Sequence, residues 1–267
     1  MADLTFPQLS SGALAQYPIR KSNTIRTIKN IMADGSMLVT ADPGAGQLTW
    51  SLAYVALSTT DMQALEAHFT ACAGQLRAFT FVDPTDNLLL YSADLTGPAW
   101  ATPTGITMQT GLADPLGGTS AFSVTNTATA PLEIVQTVPA PVSYQYCFSL
   151  YAASANGGIL NLIRSSANAQ QSTPCSLTGQ WSRISSSGQL NDVGSGVSVG
   201  ISLAAGQTVS LFGPQLEPQL APSRFRATYG SAGVYPNAHW AVSELVFTAD
   251  APNLFSTSFS IETSVWN

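Results

Sequence analysis

The sequence predicts an all-β protein with one helix. It reads as a split β-barrel or sandwich domain interrupted by an inserted jelly-roll β-sandwich. Three observations lead there. Apolar and polar residues alternate through most of the chain, which is the period of a strand with one buried face. A single segment, 59–74, carries the helical period instead. The two ends share a texture of long aromatic strands, while the middle is rich in Ser, Thr, Gly and Ala. The length of 267 residues accommodates one large β domain or two smaller ones.

The elements follow in order. MADGSMLV (32–39) places Asp34-Gly35 between short apolar flanks, the signal for a two-residue hairpin turn. QLTWSLAYVAL (47–57) puts Leu48, Trp50, Leu52 and Tyr54 on one face. In TTDMQALEAHFTACAG (59–74), Met62, Leu65, Phe69 and Cys72 recur at helical spacing. Thr60 with Gln63 reads as a capping box, Asp61 suits the positive helix start, and Gly74 suits the left-handed position after the end. RAFTFVDP (77–84) sets Phe79 and Phe81 on one face and ends in a turn.

From about 92 to 222 the pattern predicts eight short strands: 105–110, 121–127, 132–138, 144–152, 158–164, 180–187, 197–204 and 208–217. Short strands with polar turns and no helix indicate a sandwich or jelly roll. Two longer strands follow, 239–249 and 254–266, joined by the turn cluster DAPN. Two strands are not a stable domain, so they are expected to complete the half-built sheet of the first 90 residues. The predicted domains are therefore 1–91 plus 223–267, with 92–222 inserted. FGPQLEPQLAPSR (212–224) marks the seam. Its first half should close the inserted module, with Pro214 and Pro218 at an edge or bulge. Its second half should be a stiff return linker, running beside TDNLLLYSADLTGP (85–98) so that Tyr91 and Arg224 are neighbours.

Composition narrows the function. Only 9% of residues are Asp, Glu, Lys or Arg, against roughly 25% in an average protein. A surface built of neutral polar groups can pack on copies of itself with little ion desolvation; a neutral monomeric surface has the same composition. Fifteen acids against nine bases give a net charge of −6, which argues against nucleic-acid readout. Arg20, Lys21, Arg26 and Lys29 form the one cationic cluster. It reads as a subunit or tail contact, or as a solvated strand edge. Cys72, Cys147 and Cys175 are odd in number and far apart, neither a disulfide framework nor a metal knuckle. MADLTFPQL lacks the cationic and apolar regions of a secretory signal, and no apolar run reaches the ~18 residues of a membrane span. Assembly in a reducing cytoplasm is expected.

Several motifs carry a resemblance. Phe6-Pro7, Ala15 to Pro18, the strand around Trp50, the helix 61–73 and the closing strand Phe79 to Pro84 resemble the N-terminal half of a family of tailed-phage and prophage distal-tail, or tail-tip ring, proteins. GVYPNAHWAVSELVF and NLFSTSFSIET resemble the closing strands of that family. The middle region is similar to the carbohydrate-binding-module-like jelly rolls attached to many phage tail proteins, through Trp100, the run Asp114 to Thr119, and Gln215-Leu216-Glu217. The resemblance implies a non-enzymatic structural component of a virion tail, assembled in the bacterial host. It would be a homo-oligomeric ring, a hexamer around a central channel, joining the tail tube to the hub and tip proteins. The jelly roll would be peripheral, with host-surface glycan as its candidate ligand. The alternatives are a lectin-like adhesion module and a tail-associated glycan hydrolase.

The candidate chemistry is sparse. The only histidines are His68 and His239. His68 and Cys72 lie one turn apart, the spacing of an activated thiol, but Cys72 belongs to the apolar stripe. No carboxylate pair suited to hydrolysis stands out. GSGVSVG (194–200) lacks the strand–loop–helix context of a phosphate loop. Asp114 and Glu217 are the candidates for a structural Ca²⁺ of the jelly roll; the other reading is a turn-capping Asp and a satisfied strand Glu. No other cofactor is implied. For sugar stacking, Tyr144, Tyr146, Phe148 and Leu150 share a face and read as core, whereas Tyr151 lies on the opposite face. The candidate glycan residues are Tyr151, then Trp181, with Trp100.

Overall fold

The structure, a computed structural model, describes residues 4–42 and 46–264. Val265 and Trp266, which the sequence places in the last strand, lie outside the described residues. In chain order the strands are β1 (Arg20–Thr24), β2 (Thr27–Ile31), β3 (Met37–Ala41) and β4 (Gln47–Leu57), followed by the helix α1 (Thr59–Ala71) and β5 (Phe79–Val82). The middle of the chain forms β6 (Ile106–Leu112), β7 (Ala121–Asn126), β8 (Leu132–Val138), β9 (Tyr146–Ala153), β10 (Gly158–Ser165), β11 (Gln170–Leu177), β12 (Ser182–Gly188), β13 (Val197–Leu203) and β14 (Thr208–Glu217). β15 (Val234–Trp240), β16 (Thr248–Ala251) and β17 (Leu254–Ser264) complete it.

The chain divides into two units. One runs to Phe81 and resumes at Tyr235; the other is Val82–Val234. The seams thus lie outside the expected 91/92 and 222/223. The reason is a set of hydrogen bonds between the two flanking stretches. The amide of Asp83 donates to Gly233 O (2.8 Å), that of Gly233 to Asn87 O (3.0 Å), and that of Tyr91 to Tyr229 O (2.8 Å). Both stretches therefore side with the middle unit.

In the split unit, the main sheet runs β1-β4-β17-β15-β5, with β16 added along β17. The last strand pairs antiparallel with β4, Ile261 opposite Trp50 and Phe259 opposite Leu52. The sheet is open. Its alternation buries Trp50, Leu52 and Tyr54 and leaves Ser51, Ala53 and Val55 exposed. Trp240, Phe79, Phe81 and Phe259 surround Phe6, with ring centroids 5.6–6.2 Å from it. The helix covers this cluster with Leu65, His68 and Cys72. Its cap is not Thr60. Ser58 occupies that position, accepting from the Asp61 amide and donating to the Asp61 carboxylate at 2.8 Å. Asp61 also accepts from the Ser10 amide at 2.7 Å, a long-range bond that local spacing does not reveal. β2 and β3 form a separate two-stranded ribbon. Its turn is longer than the Asp34-Gly35 pair predicts: Ile31 faces Met37 as the closing pair, and Gly35 takes φ +81° inside the loop.

The nested unit is a sandwich of two open sheets, β11-β10-β13-β8 and β12-β9-β14-β7-β6. It has nine strands rather than eight. The extra one, QQSTPCSL, is polar, contains Pro174 and lies at a sheet edge, where a missing amide donor is tolerated. Leu160, Leu162, Val199 and Ile201 of one sheet face Phe148, Leu150, Val209 and Leu211 of the other as a buried core. Pro214 sits where the β14–β9 register shifts between Phe212 and Gln215, so the strand accommodates it by a bulge. Gly213 takes φ +61° there, and a Cβ would lie 3.0 Å from the Phe225 ring.

Candidate functional site

The outer face of the five-stranded sheet holds two of the predicted glycan and metal candidates, Tyr151 and Glu217. The β9 register puts Tyr151 opposite Arg183 of β12 and Phe212 of β14. Ser149 and Cys147 continue the same face toward Gln215 and Glu217. In an open face these groups would offer an aromatic platform flanked by polar donors. Here the return segment after β14 lies over them. Arg183 donates to Ser223 O and to Ser149 Oγ. Gln215 accepts from the Arg226 amide at 2.7 Å. Glu217 accepts from the Ser223 amide (3.0 Å), the Ser223 hydroxyl and Gln219 Nε2 (2.8 Å). Phe225 packs edge-on against Phe212 at 5.1 Å.

Tyr151 is half-buried, with the Arg183 guanidinium 5.4 Å from its ring centroid and Phe212 at 5.9 Å. Its ring is thus engaged within the sheet face. Trp100 is corrected outright as a surface platform. It is 7% exposed and donates its indole N–H to Tyr91 O. Its ring lines an apolar cavity of about 10 Å³ between the sheets, with Ile134, Phe148 and Leu150. Trp181, just before β12, is half-buried beside exposed Gln180 and Ser182.

Asp114 and Glu217 do not fit a shared Ca²⁺. Burial alone would raise the Asp114 carboxyl, but the amides of Leu116, Gly118 and Ser120 all donate to it and hold it below the ordinary carboxylate value. It caps its own turn, and Glu217 is occupied by Ser223 and Gln219. No residue is common to both partner sets, and no group of three His, Cys, Asp or Glu side chains clusters among the described residues.

His68 and Cys72 are in contact, with Sγ 3.7 Å from Nε2. Burial pushes the imidazole down to about 4 and the thiol up. Trp240 donates its indole N–H to His68 Nδ1 at 3.2 Å. The pair is a thiol beside an imidazole under a lid of aromatic rings, where burial disfavours both the thiolate and the imidazolium. Its consequence is for stability. The folded state resists protonating His68, so the contribution is full above the ordinary histidine value of 6.5. It falls as pH drops from 6.5 toward 4, by about 3 kcal/mol across that window. Urea unfolding of the full chain at pH 7.5 and pH 4.5 should show the loss, and His68→Gln should flatten the slope. Asp61 and Asp114, whose hydrogen bonds hold them low, act below this window.

The cationic cluster divides. Arg20 and Lys21 lie on the edge strand β1, and the Lys21 ammonium sits 5.5 Å from the Trp50 ring centroid. Arg26 pairs with Asp42 across the base of the ribbon. Lys29 projects from β2. All ten residues of β2 and β3 are exposed. They include Ile28 (47%), Ile31 (79%), Met37 (59%), Leu38 (47%) and Val39 (47%). This apolar ribbon is the feature that reading strand by strand misses. The signal is present as Ile, Met, Leu and Val on both of its faces.

No protein-family model matches the chain, and no curated protein does. Solved structures give remote likenesses. The enzymatically active domain of bacteriophage CBA120 tailspike protein 4 superimposes with a TM-score of 0.40 at 10% identity, over 51% of this chain and 22% of that one. The CBM22-1 xylan-binding domain from Paenibacillus barcinonensis Xyn10C gives 0.40 at 15% identity, over 49% and 94%. The C-terminal family 22 carbohydrate-binding module of Clostridium thermocellum Xyn10B gives 0.42 at 11% identity, over 53% and 99%. The chain thus spans about a fifth of the tailspike domain's length.

Proposed function

We propose that this protein is a non-enzymatic structural subunit of a phage or phage-like tail. The split unit would form a distal-tail-type ring of six copies between tube and tip, and the sandwich would be its peripheral module. One observation carries the reading: the β2–β3 ribbon. A two-stranded ribbon is marginal alone in water, and this one exposes five large apolar side chains across both faces. Such surfaces mark contacts with other molecules. The 9% charged composition lowers the desolvation cost of burying them. For the peripheral module, host-surface glycan is the proposed ligand, and Trp181 is the candidate aromatic left outside the covered sheet face.

The expected result is a closed ring for the purified full-length protein, seen by mass photometry and negative-stain images at micromolar concentration. Replacing residues 27–41 by a short Gly-Ser link should give a monomer that still melts cooperatively. Wild-type protein that stays monomeric at every concentration would overturn the ring.

A further inference from the structure

We infer that copies of the split unit join head to tail, with the β2–β3 ribbon of one copy docking on strand β16 of the next. This rests on the ring reading and names the two surfaces that would build it. They lie at opposite ends of one strand. β1 leaves β4 at its first residue, Thr24 facing Gln47, and the ribbon occupies the stretch between them. β16 is fastened at the other end. Phe255 of β17 sits opposite Leu57, the last residue of β4, and β16 pairs with Phe255 and Ser256. At roughly 3.3 Å per residue, the 11 residues of β4 hold the two surfaces about 35 Å apart. The surfaces differ from one another, so pairing them is heterologous and repeats from copy to copy, closing into a ring when the rotation permits.

Their chemistry is complementary. Register places Lys29, Ile31, Met37 and Val39 on one face of the ribbon. Around β16, Val246 is 58% exposed and Leu254 41%, flanked by exposed Glu244 and Asp250. Arg26 spends its charge on Asp42. The side chains of Lys29, Glu244 and Asp250 take part in no ion pair among the described residues. One apolar-and-cationic ribbon face thus has as its counterpart a stretch, 244–254, that exposes both apolar and acidic side chains. The backbone fits as well. β16 is bonded to β17 on one side, and its four residues are exposed. Its open edge can accept a further strand, which the ribbon's own open edge provides.

The test uses the full chain. Lys29→Glu and Asp250→Lys, each alone, should raise the concentration needed for half-assembly by about tenfold, with melting temperature unchanged. The protein carrying both reversals should assemble better than either single variant, because the attraction between positions 29 and 250 is restored with its sign inverted while Glu244 keeps its charge. In a separate experiment, the variant with Lys29→Cys and Asp250→Cys should give an oxidised ladder of linked copies that neither single variant gives. If wild type assembles but both charge reversals assemble equally well and no ladder forms, the ribbon–β16 contact is overturned and the ring reading stands. If wild type does not assemble, both fall together.

Discussion

Arg164→Ala should lower the stability of the sandwich by about 4 kcal/mol, a fall in its melting temperature of roughly 8–16 °C. Arg164 is 1% exposed on the inner face of β10. Its guanidinium crosses to β12 of the opposite sheet. Nε donates to Ser186 Oγ (3.1 Å), Nη1 to Gly188 O (2.5 Å), and Nη2 to Ser187 O (2.9 Å) and Gln171 Oε1 (2.5 Å). All four acceptors are neutral. Burial pulls its pKa below the ordinary arginine value, so the hydrogen bonds alone hold the charge inside. Removing the side chain leaves two backbone carbonyls without this donor and opens a void, and both effects act in one direction. Arg164→Met separates them. It fills the volume and removes the desolvated charge but restores no donor, so a loss of about half is expected. Calorimetry on the full chain reads both. A Met variant as stable as wild type would mean that the polar bridge between the sheets contributes nothing net.

Gly200→Ala should be more severe: a loss of more than about 4 kcal/mol, or no folded sandwich at all. Gly200 lies inside β13, between β10 and β8, opposite Val135. A Cβ built there would stand 2.0 Å from Ile134 O and 2.8 Å from Val135 Cα. Both atoms belong to the backbone, so no rotamer change relieves the clash and the β8–β13 pairing must part. Overpacking a core commonly costs about 1–3 kcal/mol when side chains can shift; here they cannot help. Gly179→Ala is the control, since nothing lies within 4 Å of its Cβ position. It should change stability by no more than about 0.5 kcal/mol. Soluble expression and far-UV circular dichroism distinguish the two. A Gly200→Ala protein that melts like wild type would contradict the close approach.

Period-two alternation made several elements legible. In β4 it sorted Trp50, Leu52 and Tyr54 inward, and in β9 it sorted Tyr146, Phe148 and Leu150 away from Tyr151. Those assignments depend only on neighbours in the chain. What escaped depends on distant ones. Ser58 caps α1, in a network that includes Ser10 far upstream. Trp100 carried the right chemistry for stacking on a sugar, but its burial is decided by strands on both sheets. Tyr151 does lie on the outer face, and nothing in its own strand announces the segment at 223–226 lying over that face. β11 has the polar composition of a loop and is held as a strand by pairing with β10. The apolar ribbon was visible residue by residue; its complete exposure is a tertiary fact.

The two stretches that flank the nested unit have an evolutionary consequence. Asp83 and Gly233 are joined by a backbone hydrogen bond, so the whole of Val82–Val234 enters and leaves through a doorway one strand pair wide. As an unstructured loop this excursion would cost the host sheet roughly 3 kcal/mol more closure entropy than a four-residue turn, at about 0.6 kcal/mol per doubling of length; the nested unit's own fold, which holds its two ends together, relieves the host of that cost. A lineage can therefore trade one such cassette for another, or shed it, while the sheet carrying the ribbon and β16 keeps its register.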